Sequence, residues 1–123
     1  MPSARRAQSQ AGSEQEQKAT EAKIYALIDP ETNTTRYIGA TIQKLSTRLN
    51  QHLAEKFYSG SRRKFEWLSL LRAHGYRPRV QLLEVVPIER ATETEQRWIR
   101  TALNAGVDLV NNEPRLWTRW GSR

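Results

Sequence analysis

The sequence predicts a single α+β domain of three strands and about three helices, and three observations carry that prediction. Residues 23–28 and 35–39 are short β-rich runs on either side of a turn sequence. Leu45, Leu49 and Leu53 recur every four residues, the helical interval. Residues 80–86, Val-Gln-Leu-Leu-Glu-Val-Val, form a further apolar run that Pro87 ends. At 123 residues the chain is long enough for one packed core and too short for two.

Residues 1–22 have no side chain larger than Ala that is aliphatic or aromatic after Met1. Such a composition cannot offset its ordering entropy, so this stretch is expected to be a disordered tail, with the domain occupying residues 23–112. Asp29 and Pro30 suit the first two positions of a type I turn, and Asn33 suits a left-handed one. Pairing symmetric about Glu31 sets Tyr25 opposite Tyr37 on one face of the hairpin and Ile24, Ile28 and Ile38 on the other. A slip of one residue would separate the tyrosines.

The leucine-spaced segment, with Thr41 or Ser46 as candidate cap, reads as a helix to about Phe57, with Arg48 and His52 on one stripe beside the leucines. Residues 58–61 break it. A second helix over about 63–74 buries Phe65, Leu68 and Leu71 or their neighbours Trp67 and Leu70, and Gly75 stops it, with His74 in the last turn. The strand at 80–86, mostly apolar, is expected to be well covered. The third helix starts at Glu89 or Glu93 and reaches Ala105, with Ala91, Trp98, Ile99, Ala102 and Leu103 as its apolar stripe and Gly106 as stop. Glu95 falls inside that stripe, where a carboxylate needs a reason. Residues 113–123, with Arg115, Trp117, Arg119, Trp120 and Arg123, form a basic, aromatic C-terminal tail.

The net charge is +7, and Arg outnumbers Lys fifteen to five, which favours bidentate phosphate contacts. The charges of residues 1–22 cancel. Residues 42–79 hold nine basic side chains against Glu55 and Glu66, an excess equal to that of the whole chain. One stretch with the entire excess reads as a nucleic-acid footprint, and Lys44, Lys56, Arg62, Arg63, Lys64, Arg77 and Arg79 are its candidate DNA-binding residues. With no cysteine, disulfide scaffolds, thiolate zinc sites and cysteine nucleophiles are excluded. No window approaches the roughly eighteen apolar residues of a membrane span, and the start lacks the apolar stretch of a secretory signal. A cytoplasmic or nuclear protein with no membrane partner is expected.

The order of the chemistry-bearing residues is distinctive: Tyr25 on a strand, Tyr37-Ile38-Gly39 on the next, Arg48 and His52 on a helix, Glu95 on a later helix, then Asn111. This set resembles the GIY-YIG endonuclease superfamily over about residues 23–112. The resemblance implies a small three-stranded antiparallel sheet flanked by helices, working as a DNA endonuclease with one divalent metal, Mg²⁺ or Mn²⁺. It places the motif tyrosines at Tyr25 and Tyr37, the catalytic arginine at Arg48, the histidine of some members at His52, the metal-binding glutamate at Glu95 and the terminal asparagine at Asn111. Lys23 stands where the motif has its first glycine, and Ala40 where related phage-type members often carry lysine.

These types suit phosphodiester hydrolysis. Glu95 is a hard oxygen ligand for Mg²⁺, Arg48 a clamp for a non-bridging oxygen, and Tyr25 a base or relay for the attacking water, provided a cation lowers its ordinary pKa of about 10. Tyr37 and His52 would position water and phosphate, and Asn111 would brace the site. Each residue also has a plainer reading: the tyrosines as sheet packing, Arg48 and His52 as solvated helix residues, and Glu95 as the far end of a Thr92-x-x-Glu95 capping box. A basic nucleic-acid-binding module without catalysis is the alternative, and an RNA-binding or ribosome-associated protein predicts the same charge. Only about eleven residues follow Asn112, too few for a separate DNA-reading domain. Sequence specificity is therefore expected to be low, or supplied by a homodimer or a partner.

Overall fold

The computed structural model describes residues 20–54 and 61–111. In chain order these form β1 (Glu21–Asp29), β2 (Thr34–Thr41), α1 (Leu45–Leu53), α2 (Arg62–Ala73), β3 (Arg79–Pro87), a 3₁₀ turn (Ile88–Arg90) and α3 (Ala91–Asn104). The strands make one antiparallel sheet in the order β2-β1-β3. The expected α+β class, with three strands and three helices, is what forms.

β1 lies at the centre because it is apolar on both faces: every residue from Ile24 to Asp29 is buried. Its two faces seed two cores. Tyr25 and Leu27 pack with Leu49 of α1, with Trp67, Leu68 and Leu71 of α2 and with Val110, and Leu45, Leu53, Tyr37 and Val80 border this cluster. Ile24 packs with Ile38, Val86, Ile99 and Leu109, bordered by Ala91, Trp98, Ala102 and Leu103. The leucine stripe of α1 and the five-residue stripe of α3 thus cover opposite faces of the sheet, as their periods dictate.

Several expectations need correction. The domain starts two residues before residue 23, since Glu21 pairs with Pro87 and Ala22 is buried. Tyr25 pairs with Gly39 and Tyr37 with Leu27, so the tyrosines are diagonal neighbours. The shift from the symmetric pairing is two residues, which keeps both rings on one face. It arises because the loop closes late: the Asn33 N–H donates to the Asp29 carbonyl at 2.7 Å, with Asn33 left-handed at φ 59°, and a bulge follows at Leu27/Ile28. The Asp29 side chain accepts from the Glu31 N–H at 2.8 Å and from Trp67 Nε1 at 3.1 Å, tying the hairpin loop to α2.

α1 begins after Lys44 without a side-chain cap, and Thr41 instead accepts from the Gln43 N–H at 3.0 Å. Ala54 closes α1, and the expected extension to Phe57 falls outside the described residues. In α2, Trp67, Leu68 and Leu71 are buried while Leu70 is exposed, and His74 is the C-cap before left-handed Gly75. β3 is an edge strand in which only Val86 is buried, and Leu82 and Val85 are exposed, contrary to the expected cover. Among the described residues two helices, α1 and α2, pack on the face that carries Leu82, and the run of apolar residues in β3 says nothing about their reach. Of the expected tails, 1–22 and 113–123, residues 1–19 and the whole of the second lie outside the described residues.

Candidate active site

Register builds the first half of the site. Tyr25 sits mid-strand in β1, opposite Gly39 and diagonal to Tyr37, with the two rings 6.3 Å apart at 44°. A Cβ at Gly39 would stand 2.6 Å from Tyr25 Oη, 2.8 Å from its Cζ and 2.9 Å from Tyr37 Cε2. Tyr25 is 1% exposed and has nowhere to move, so glycine is the residue that lets both rings lean across this strand.

α1 supplies the next pair from one stripe, four residues apart. His52 is 1% exposed, and its Nε2 lies 2.7 Å from Tyr25 Oη while its ring meets Tyr37 edge-on at 5.1 Å. Arg48 is half-buried, bonds Gln51 Oε1 at 3.0 Å and reaches Tyr25. α2 closes the cluster with a residue that charge counting assigned to DNA: Lys64 is buried, its Nζ lies 3.2 Å from His52 Nδ1 and 5.4 Å from the Tyr37 ring centroid. The N-cap of α2 sets its position. The Ser61 hydroxyl accepts from the Lys64 N–H at 3.1 Å and donates to the Val110 carbonyl.

Burial pushes the Tyr25 phenol up to about 12, and the nearby Glu95 charge adds to the rise, against the downward pull of Arg48 and a hydrogen bond from Tyr37. His52 goes the other way, down to about 3, because burial and the Lys64 and Arg48 charges all oppose its protonation. His52 is therefore a neutral imidazole at any physiological pH.

Glu95 lies on α3, partly buried, and burial raises its carboxyl pKa. The capping-box reading fails: α3 starts at Ala91 with Arg90 as N-cap and no side-chain cap, so Thr92 is already inside the helix. Among the described residues no ion pair or hydrogen bond holds the Glu95 carboxylate. Glu84, by contrast, accepts from Trp98 Nε1 at 2.8 Å and Arg97 at 3.1 Å, bonds that hold its carboxyl low. A partly buried carboxylate left without a protein partner fits a hard divalent cation. No cluster of three or more His, Asp or Glu gathers among the described residues, so most of such an ion's positions would belong to water and phosphate.

Asn111 is buried and braces the outer edge of β2, its Nδ2 donating to the Ile38 carbonyl at 2.8 Å and its Oδ1 accepting from the Ile38 N–H at 3.0 Å. The two bonds satisfy a backbone pair that an edge strand leaves open, next to Tyr37 and Gly39.

The structure thus gathers Tyr25, Tyr37, Arg48 and His52 into one cluster, brings the Glu95 charge to bear on Tyr25, and gives Asn111 a bracing place. The candidate DNA-binding set divides. Lys44 and Arg77 are exposed, and Arg62 lies 3.3 Å from Glu66 on the surface. Arg63 is a structural tie, donating to the Leu109 carbonyl at 2.9 Å and to Asp108 at 2.8 Å. Arg79 bonds Asn33 Oδ1 at 2.7 Å, and Lys64 is buried. Lys56 lies outside the described residues. Sequence reasoning missed Lys64 as part of the cluster, and named Gly39 only as the end of a motif, without its contact with both tyrosines. A Ser three residues before Lys64 marked the helix start, but nothing local signals which way that lysine faces.

Fold and site together define a small catalytic-type α+β module. The model of the GIY-YIG catalytic domain matches residues 21–106, and the chain belongs to that family of nuclease domains. No curated protein and no solved structure matches the chain.

Proposed function

We propose that this domain is an endonuclease that hydrolyses DNA phosphodiester bonds with a divalent metal, Mg²⁺ or Mn²⁺, and reads little sequence by itself. The observation that carries this reading is the Tyr25 hydroxyl, buried against His52 at 2.7 Å and attended by Arg48 and Tyr37, with the Glu95 carboxylate, unpartnered among the described residues, close enough to act on it.

Hydrolysis forms a bond from water oxygen to phosphorus and breaks the bond to the leaving sugar oxygen, with one proton leaving the water and one reaching the leaving group. Glu95 would hold the cation, which when bound supplies Lewis-acid stabilisation of a non-bridging oxygen and of the departing alkoxide. Arg48 clamps phosphate oxygen and faces Tyr25, so the same guanidinium neutralises the diester and favours the phenolate. Tyr25 gives up its own proton to solvent and, as the phenolate, takes the water proton. With its pKa at about 12 in the free protein it is a phenol at rest, and positive charge brought to the site moves it toward use. Tyr37 and His52 hold the Tyr25 ring and oxygen in place, and Asn111 keeps β2 from fraying beneath them. Exposed cations such as Lys44 and Arg77 suit backbone contacts that carry no sequence information.

Supercoiled plasmid, branched DNA and RNA incubated with Mg²⁺, Mn²⁺ or a chelator test the reading. Metal-dependent nicking of plasmid is expected. Tight DNA binding with no cleavage in either metal would favour the non-catalytic binding module, for which the depth of Tyr25 would then be simple packing.

A further inference from the structure

Among the described residues Lys64 is the only lysine or arginine that is buried, at 5% exposure. Charge counting treats it as a DNA contact, and at that depth it cannot meet a phosphate. Its ammonium points instead at His52 Nδ1, 3.2 Å away.

An ammonium has three N–H donors and no lone pair, so toward Nδ1 it can only donate. Nδ1 is then the bare nitrogen of the imidazole, and the single ring proton sits on Nε2. At 2.7 Å, that Nε2–H donates to Tyr25 Oη. The other tautomer would set Nδ1–H against the ammonium and turn Nε2 into an acceptor that holds the Tyr25 proton. The two tautomers therefore give Tyr25 opposite roles. With Nε2–H donating, the Tyr25 oxygen is an acceptor as phenol and as phenolate, and its own proton faces away from His52.

Resting on the nuclease reading, we propose that Lys64 is a positioning residue, whose ammonium fixes His52 as the Nε2–H tautomer so that the Tyr25 proton faces away from His52 and is lost to solvent before the phenolate takes the proton of the substrate water. The lysine acts through His52 and touches no substrate. The Ser61 cap that fixes the Lys64 backbone also binds the Val110 carbonyl, next to the residue that braces β2, so the positioning chain is anchored at both ends.

The test has an arm that does not need activity. The chain has two histidines, so long-range proton–nitrogen NMR of the free protein, with His74→Gln as the assignment control, reads the His52 tautomer directly. Nε2–H is expected, and Nδ1–H overturns the proposal. Lys64→Met keeps length and volume and cannot donate. Its expected effect is a mixed tautomer and nicking about ten- to a hundredfold slower, the loss of one hydrogen bond from a charged donor, at unchanged plasmid affinity. Because the chain has no cysteine, Lys64→Cys can be aminoethylated at that position alone in denaturant and refolded, which restores an ammonium and should restore the rate. Wild-type nicking by Lys64→Met, or a loss confined to DNA affinity, overturns the role. If the native chain shows Nε2–H and nicks nothing, the nuclease reading fails and the Lys64–His52 hydrogen bond stands without its catalytic use.

Discussion

Tyr25 and His52, twenty-seven residues apart, meet through a 2.7 Å hydrogen bond with both side chains 1% exposed. A buried neutral imidazole facing a buried phenol is costly unless the two are bonded, so removing the phenol oxygen leaves the His52 Nε2–H unsatisfied, whereas Tyr25 also bonds Arg48 and Tyr37. Tyr25→Phe should lose nicking by about 10²–10⁴-fold, the usual contribution of a placed acid or base. It should also lower stability by about 1–3 kcal/mol, because His52 Nε2–H keeps its burial and loses its acceptor. Plasmid nicking and thermal melting on the same protein read the two effects separately.

Glu95 answers a different question. Glu95→Ala removes a negative charge and no hydrogen bond among the described residues, so DNA affinity should be equal or higher and the melting temperature nearly unchanged, while Mg²⁺-dependent nicking disappears. Glu95→Gln should fail in the same way, since the amide lacks the charge that attracts the cation. Undiminished nicking by folded Glu95→Ala would remove the metal site from the scheme.

Gly39→Ala should disturb fold and chemistry together. Its added methyl meets Tyr25 and Tyr37 at under 3 Å, and Tyr25 has no free space to retreat into. Overpacking of this kind costs about 1–3 kcal/mol, and the displaced Tyr25 oxygen should slow nicking beyond what the unfolded fraction explains. Ring-proton NMR shifts of both tyrosines would report the displacement.

The surface cations separate cleanly by role. Lys44→Ala with Arg77→Ala should weaken binding to all DNA sequences alike and reduce the salt slope by roughly 0.9 for each phosphate that is no longer neutralised, with no change in melting. Arg63→Ala should instead melt earlier, by the worth of its bond to the Leu109 carbonyl, about 0.5–1.5 kcal/mol. An unchanged salt slope in the first variant would move the DNA track away from both residues.

Asp29 gives the fold a pH dependence. Burial alone would raise its carboxyl, but hydrogen bonds from Trp67 and from the Glu31 and Thr32 backbone, with the Arg36 charge, hold it below the ordinary 3.8. The folded state then binds fewer protons than the unfolded one, so this stabilisation is complete above about pH 3.8 and is lost as pH falls through the folded value. Asp29→Asn should be less stable at neutral pH and converge with the native protein in acid. Curves that stay parallel as the solution is made acid would mean that these hydrogen bonds matter little.

What the sequence by itself determined is local. Leu45, Leu49 and Leu53 had to share a helix face, Asn33 and Gly106 had to end elements with positive φ, and the ordered tyrosines, Arg48, His52, Glu95 and Asn111 announced the family. Tertiary structure decided the rest. The pairing of Tyr25 with Gly39 follows from a loop closure and a bulge, each a matter of where one backbone hydrogen bond forms. The burial of Lys64, the tie of Arg63 to Asp108 and the exposure of β3 depend on which elements lie against them. A charge or an apolar run carries no record of its surroundings, because the free energy of burying it is set by partners that are distant in the chain and near only once it has folded.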